Sequence, residues 1–184
     1  MEIKRIGQKA ILINSRYAKI LAFSEEFSDE KINSISPDIV LGRQIANKFS
    51  IYLPGEYETH EVWFMGFQSN VSKNNVDIYV LNVDSVRVAI IYPDVCTLNK
   101  KQIEKIGIID ILVADLSAKL EILVQVISEI DPRILIPVND DKESLNQLIK
   151  SLGVKNITED KKLKFSEELF TNEEYQLELK KLTF

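Results

Sequence analysis

The residues of this chain that could do chemistry are few and scattered. Its one histidine, His60, follows Glu56 and Glu58 in the run Tyr52–Phe67, YLPGEYETHEVWFMGF. On a regular strand alternate side chains share a face, so these three would present two carboxylates and an imidazole, a donor set known for iron. The change from polar to apolar residues after His60 argues instead for a turn near Thr59–Glu61, which would leave them on a solvated surface. Asp94, Asp140 and Asp141 form a second group. They follow apolar segments, and if those segments end at one sheet edge their oxygens could hold Mg²⁺, Mn²⁺ or Ca²⁺. The commoner role of Asp140 or Asp141, just ahead of a helical pattern, is an N-cap. Cys96, the only cysteine, has no histidine beside it in sequence and reads as a packed or loop thiol. Ser117 lacks a GxSxG setting and a histidine partner, and the chain has no glycine-rich nucleotide loop.

The most informative stretch is Ser36–Ser50, SPDIVLGRQIANKFS. A short apolar strand, Asp38–Leu41, stops at Gly42 and becomes the polar loop Gly42–Lys48, the pattern by which a sheet delivers side chains to a site. That loop offers Arg43, Gln44, Asn47 and Lys48, with no histidine, cysteine or acid.

Strands are predicted at Glu2–Ile6, Ala10–Asn14 and Ala18–Phe23, with turns at Gly7 and Asn14–Arg16. Ser24–Ser36 is acidic and polar, an exposed connection with at most a short helix. Val76–Val83 and Val86–Tyr92 form a hairpin across Asp84-Ser85, apolar enough for burial on both faces. Beyond Pro93 the period changes. Asn99–Gly107 is a short helix with Asn99 as N-cap, Gln102 at N3 and Gly107 as the stop. Ile109–Ala114 is a strand, Leu116–Ile130 an amphipathic helix, Arg133–Val138 a buried strand and Glu143–Leu152 a helix stopped by Gly153. Val154–Ile157 is short and extended, and Tyr175–Phe184 alternates as a half-buried strand at a sheet edge. A β-rich first half followed by alternating strands and helices is met by two central sheets with helices on their outer faces.

The chain has 184 residues, enough for one well-cored domain over 1–184, with 45% hydrophobic residues and a formal net charge of −5. That charge argues against a nucleic-acid or membrane footprint. The basic runs at Lys161, Lys162 and Lys164, and at Lys180 and Lys181, are interleaved with acids and read as solvated surface. The start lacks a signal-peptide pattern, and no apolar run reaches the roughly 18–20 residues of a membrane span. A cytoplasmic protein is expected.

In order along the chain, IKRIGQKAILI, SPDIVLGRQIANKF, LPGEYETHEVWFMGF, IYVLNVDSVRVAIIYPDV, LNKKQIEKIGIIDILVADL and ISEIDPRILIPVNDD resemble the small metallo-β-lactamase-fold hydrolases, lactonase-like branch. The resemblance covers nearly the whole chain. It implies a four-layer αββα sandwich and, in active members, two zinc-class ions that activate a bridging water. The implied ligand positions are substituted here. Gln8 stands at the early Gly-His position. Gln44, Ala46, Lys48 and Phe49 stand where the HxHxDH loop has two His, an Asp and a His. The next histidine falls near Asn70 or Val71, Asp94 is a shifted remnant of the bridging Asp, and the last histidine is Asn139.

A dinuclear hydrolytic site needs several neutral imidazoles and carboxylates, and a lysine in its midst repels a divalent ion. The expectation is therefore a fold that has lost its metal site and works without cofactor as a binding or scaffolding protein, with an unidentified protein partner or by self-association through Trp63, Phe64, Met65 or Phe67. Gln8, Arg43, Gln44, Lys48, Asp94 and Asn139 would line the vestigial pocket, where Arg43 and Lys48 could take a small anion. The alternative is a divergent hydrolase of phosphoesters or lactones with Zn, Mn or Mg on Asp94, Asp140 and Asp141.

Overall fold

The computed structural model describes residues 1–23, 27–69, 76–139, 141–171 and 175–183. The first half supplies β1 (Glu2–Arg5), β2 (Ile11–Asn14), β3 (Lys19–Ala22), α1 (Asp29–Ile35), β4 (Ile39–Leu41), β5 (Phe49–Ile51), β6 (Gly55–Thr59) and β7 (Val62–Phe67). The second supplies β8 (Ile78–Val83), β9 (Val86–Ile91), α2 (Lys100–Ile106), β10 (Ile111–Asp115), α3 (Leu120–Ile130), β11 (Ile134–Val138) and α4 (Lys142–Leu152). β12 (Asn156–Asp160), β13 (Lys162–Lys164), a 3-10 turn at Glu167–Phe170 and β14 (Glu178–Leu182) complete the chain.

Six strands pair in the order β13-β1-β2-β3-β4-β5, and eight in the order β12-β14-β11-β10-β9-β8-β7-β6. Alternation sorts the core into layers. Ile3, Ile13 and Ile20 from one sheet meet Phe64, Leu81, Val88 and Val113 from the other. Leu112, Ala114 and Leu135 point the opposite way, onto Leu123, Val126 and Ile127 of α3 and Leu148 of α4. Leu12, Leu21 and Val40 carry Ile32 of α1 on the outer face of the smaller sheet. The layers are helix, sheet, sheet and helix, as expected.

Local chemistry sets the boundaries. Asp84 and Ser85 both have positive φ, the backbone of a two-residue hairpin turn, and so do His60 and Glu61 between β6 and β7. Asn99 and Gln102 close the capping box of α2, and Gly107 ends it with φ 67°. Asp115 bends the chain after β10 by accepting from the Ser117 amide and hydroxyl at 2.9 and 2.6 Å. The helix predicted from Leu116 therefore starts only at Leu120.

The C-terminal region departs furthest from expectation. β14 is no edge strand, because it lies between β11 and β12 with parallel neighbours on both sides. β12 is exposed at every residue, so apolar alternation could not reveal it. Lys162–Lys164 is the edge strand β13, paired antiparallel to β1. Trp63, Phe64, Met65 and Phe67, considered for self-association, are buried or half-buried against the two core layers. No described helix is long and apolar enough to cross a membrane.

Candidate functional site

The C-terminal ends of β3, β4, β9, β10 and β11 meet at one mouth of the sandwich, the place implied for the site. Aromatic side chains fill that mouth. Tyr92, just past β9, accepts from the Phe23 amide at 2.9 Å and donates to the Leu41 carbonyl at 3.4 Å. Tyr79 of β8 donates to the Ile51 carbonyl at 2.9 Å and accepts from the Gly42 amide at 3.1 Å. Both phenol groups thus reach from the larger sheet to strand ends of the smaller one. Phe23 stacks on Tyr92 with centroids 4.4 Å apart, and Tyr79 tilts against Tyr92 at 5.6 Å. All three rings are buried. Placing a phenol where both donor and acceptor are used avoids the cost of a buried unpaired hydroxyl.

The loop after β4 is fixed from its other side. Arg43 lies 3.0 Å from Asp29 of α1 and donates to the Phe27 carbonyl at 2.6 Å. Gln44 is exposed and accepts from the Tyr52 hydroxyl at 3.2 Å. Lys48 is half-buried, its amide bonded to the Ile45 carbonyl at 3.3 Å. Arg43 is thus committed to α1, which removes half of the charge expected to hold an anion beside Lys48.

A separate polar group sits where β10 and β11 end. Asp115 is fully buried. Its Oδ1 accepts from the Ser117 hydroxyl at 2.6 Å and the Asn139 amide group at 3.3 Å. Its Oδ2 has Lys9 Nζ at 3.8 Å but no hydrogen-bond partner among the described residues. The Asn139 backbone, at positive φ, donates to the Gln8 carbonyl at 3.3 Å. Gln8 and Asn139 are therefore brought together, while Arg43, Gln44 and Lys48 are held by a different set of contacts. The cation at the Asp115 carboxylate is Lys9, not Lys48. Sequence reasoning missed Asp115, Lys9, Tyr79 and Tyr92. The available signal was a carboxylate ending the apolar run Ile111–Ala114 in register with Arg133–Val138, where Asp115 pairs with Val138.

The remaining candidates are scattered. His60 occupies the tight turn and contacts the Thr59 hydroxyl at 2.9 Å, off the strand that carries Glu56 and Glu58. Asp94 is exposed, and its carbonyl accepts from the Cys96 thiol at 3.8 Å. Asp141 caps α4, accepting from the Glu143 and Ser144 amides at 3.0 Å, and its hydrogen bonds with Ser144 hold its carboxyl below the usual range. Asp140, Asn70 and Val71 lie outside the described residues. Asp77, buried beside the mouth, accepts from the Ser69 amide and hydroxyl at 2.7 and 2.6 Å.

These residues do not fit a dinuclear metal centre. The loop after β4 carries no imidazole or carboxylate, the mouth carries Tyr79, Tyr92 and Phe23, and one oxygen of Asp115 already takes three hydrogen bonds. No group of three or more His, Cys, Asp or Glu side chains placed to hold a metal ion occurs among the described residues.

No family model matches the sequence, and no curated protein matches it significantly. Solved structures do match. A protein from Thermotoga maritima, assigned as a Zn-dependent hydrolase of the metallo-β-lactamase superfamily, superposes with a TM-score of 0.76 at 16% identity, covering 99% of each chain. A protein from Parabacteroides distasonis assigned as a metal-dependent hydrolase gives 0.62 at 11% identity, over 98% of this chain and 93% of that one. The metallo-β-lactamase fold protein YhfI from Bacillus subtilis gives 0.54 at 8% identity, over 82% and 92%. This chain has the metallo-β-lactamase fold.

Proposed function

We propose that this protein is a non-catalytic member of its fold, a binding or scaffolding protein whose dinuclear metal site has been replaced by a structural plug. One observation carries the reading. Tyr79, Tyr92 and Phe23 fill the mouth, and the two hydroxyls are engaged with the backbone of β3, β4 and β5 ends. A metal-bound water needs an open coordination position and space for substrate above it. The absence of imidazole and carboxylate from Gly42–Lys48 supports the same reading, as does Lys9 beside the buried carboxylate of Asp115. The fold alone argues nothing about catalysis, since chemistry resides in sites placed upon folds.

Metal content, measured by mass spectrometry before and after dialysis against Zn²⁺, Mn²⁺ and Mg²⁺, tests this. The expected result is far below one ion per chain in every condition. About one tightly held ion per chain, with turnover of a phosphoester or lactone abolished by Asp94→Ala, would overturn it in favour of an oxygen-ligand hydrolase on Asp94, Asp140 and Asp141.

A further inference from the structure

Away from the mouth, on the flank where β12 of the larger sheet passes through Lys161 into β13 of the smaller one, the two sheets part around a cavity of about 580 Å³. That lies within the roughly 300–1,000 Å³ of small-molecule sites. Its floor is apolar, from the buried Ile134, Leu163 and Phe165. One wall is the ring of Tyr175, held at its hydroxyl and over its face. Its hydroxyl donates to the Asp131 carbonyl at 2.9 Å, and Arg133 lies 4.6 Å over its face. Phe170 packs at 6.2 Å from Phe165, and the neighbouring Leu169 is 59% exposed along the cavity.

The rim is basic, in a chain whose net charge is −5. Arg133, Lys162, Lys164 and Lys180 line the cavity against two acids, Asp160 and Glu178.

 That is four cations to two carboxylates. Glu178 is paired with Lys180 at 2.9 Å, and Lys162 reaches Glu2 at 3.6 Å. Lys164 has no ion-pair partner among the described residues. A solvated lysine alone would signify nothing. Here the unpaired cation stands at the rim of a ligand-sized hollow with an apolar floor and an aromatic wall. Such a site offers desolvation to an apolar body and charge to an anionic head.

We propose that this cavity binds a small organic anion with an apolar body, the body lying on Phe165 and Tyr175 and the carboxylate or phosphate head meeting Lys164. The proposal concerns a site distinct from the mouth and stands whether or not the mouth is catalytic.

Calorimetric titration of the full chain with octyl phosphate, octanoate and inorganic phosphate, each below any micelle threshold, tests it. Saturable 1:1 binding is expected for octyl phosphate or octanoate, and the better of the two identifies the head group. Inorganic phosphate should bind at least about tenfold more weakly, for want of buried apolar area. Lys164→Glu and Leu169→Asp, both at exposed positions, should each weaken binding about tenfold with the circular dichroism spectrum unchanged. Lys105→Glu, on α2, should leave it unaltered. No saturable binding of either amphiphile, equal binding of inorganic phosphate, or indifference to both cavity variants would overturn the proposal.

Discussion

The two ends of interest in this sandwich have opposite constructions. At the mouth, strand ends converge, yet the space between them is occupied by Phe23, Tyr79 and Tyr92, and the polar atoms are bonded to backbone. At the C-terminal flank the sheets diverge and leave a hollow with a basic rim. Convergent strand ends supply positions for chemistry, but only if their side chains leave room for a ligand. Divergent sheet edges supply room without any preset chemistry. In this chain the convergent strand ends are packed with buried rings, and the open space lies at the flank.

Breaking the mouth should have the largest effect on stability. Tyr92→Ala removes a buried ring and its hydrogen bonds with Phe23 and Leu41, and should cost about 3–5 kcal/mol in urea unfolding. Tyr79→Phe keeps the ring but takes away the partner of Gly42, and should cost about 1–3 kcal/mol. If either change left stability untouched, the plug would be filling space without joining the sheets. Asp115→Ala strips Ser117 and Asn139 of their acceptor and should cost about 1–3 kcal/mol by the same measurement.

Smaller effects sharpen the contrast at the flank. Burial, followed by the hydrogen bond from its hydroxyl to Asp131, pushes the Tyr175 hydroxyl above its ordinary value. The folded state then retains the phenol proton longer than the unfolded chain does. This contribution is complete below the ordinary tyrosine value and is lost as pH rises through the raised one. Tyrosinate absorbance of the native protein against Tyr175→Phe should show the late-titrating group. The smallest effect belongs to Asp141. Its lowered carboxyl contributes fully above the ordinary aspartate value, and that contribution fades as pH falls through the lowered one. Asp141→Asn should flatten this acid limb in a pH series of thermal unfolding.

Much of the fold could be read from the chain because its signals are local. The hairpin at Asp84-Ser85, the capping box of Asn99 and Gln102, and the apolar face of α3 each lie within a few residues. β5 and β13, three residues each, escaped notice, and β12 was read only in part, as the extended Val154–Ile157; these strands are short or fully exposed and exist through their neighbours. The substituted positions Gln8, Gln44, Lys48 and Asn139 were legible as residue types. What occupies the mouth was not, because Tyr79 and Tyr92 read as ordinary members of apolar strands. Nothing local announces that their hydroxyls meet backbone at Gly42, Phe23, Leu41 and Ile51. The Asp115 group likewise joins residues more than a hundred positions apart, from Lys9 to Asn139.

The placement of β14 between β11 and β12 bears on how the protein is made. Among the described residues, β12 has no sheet neighbour but β14, which follows it in the chain. During synthesis β12 can leave the ribosome with nothing to pair with, while β11 presents an open edge of backbone amides and carbonyls. Closure of the larger sheet must await the arrival of β14, making the nascent chain most vulnerable to self-association just before that strand emerges.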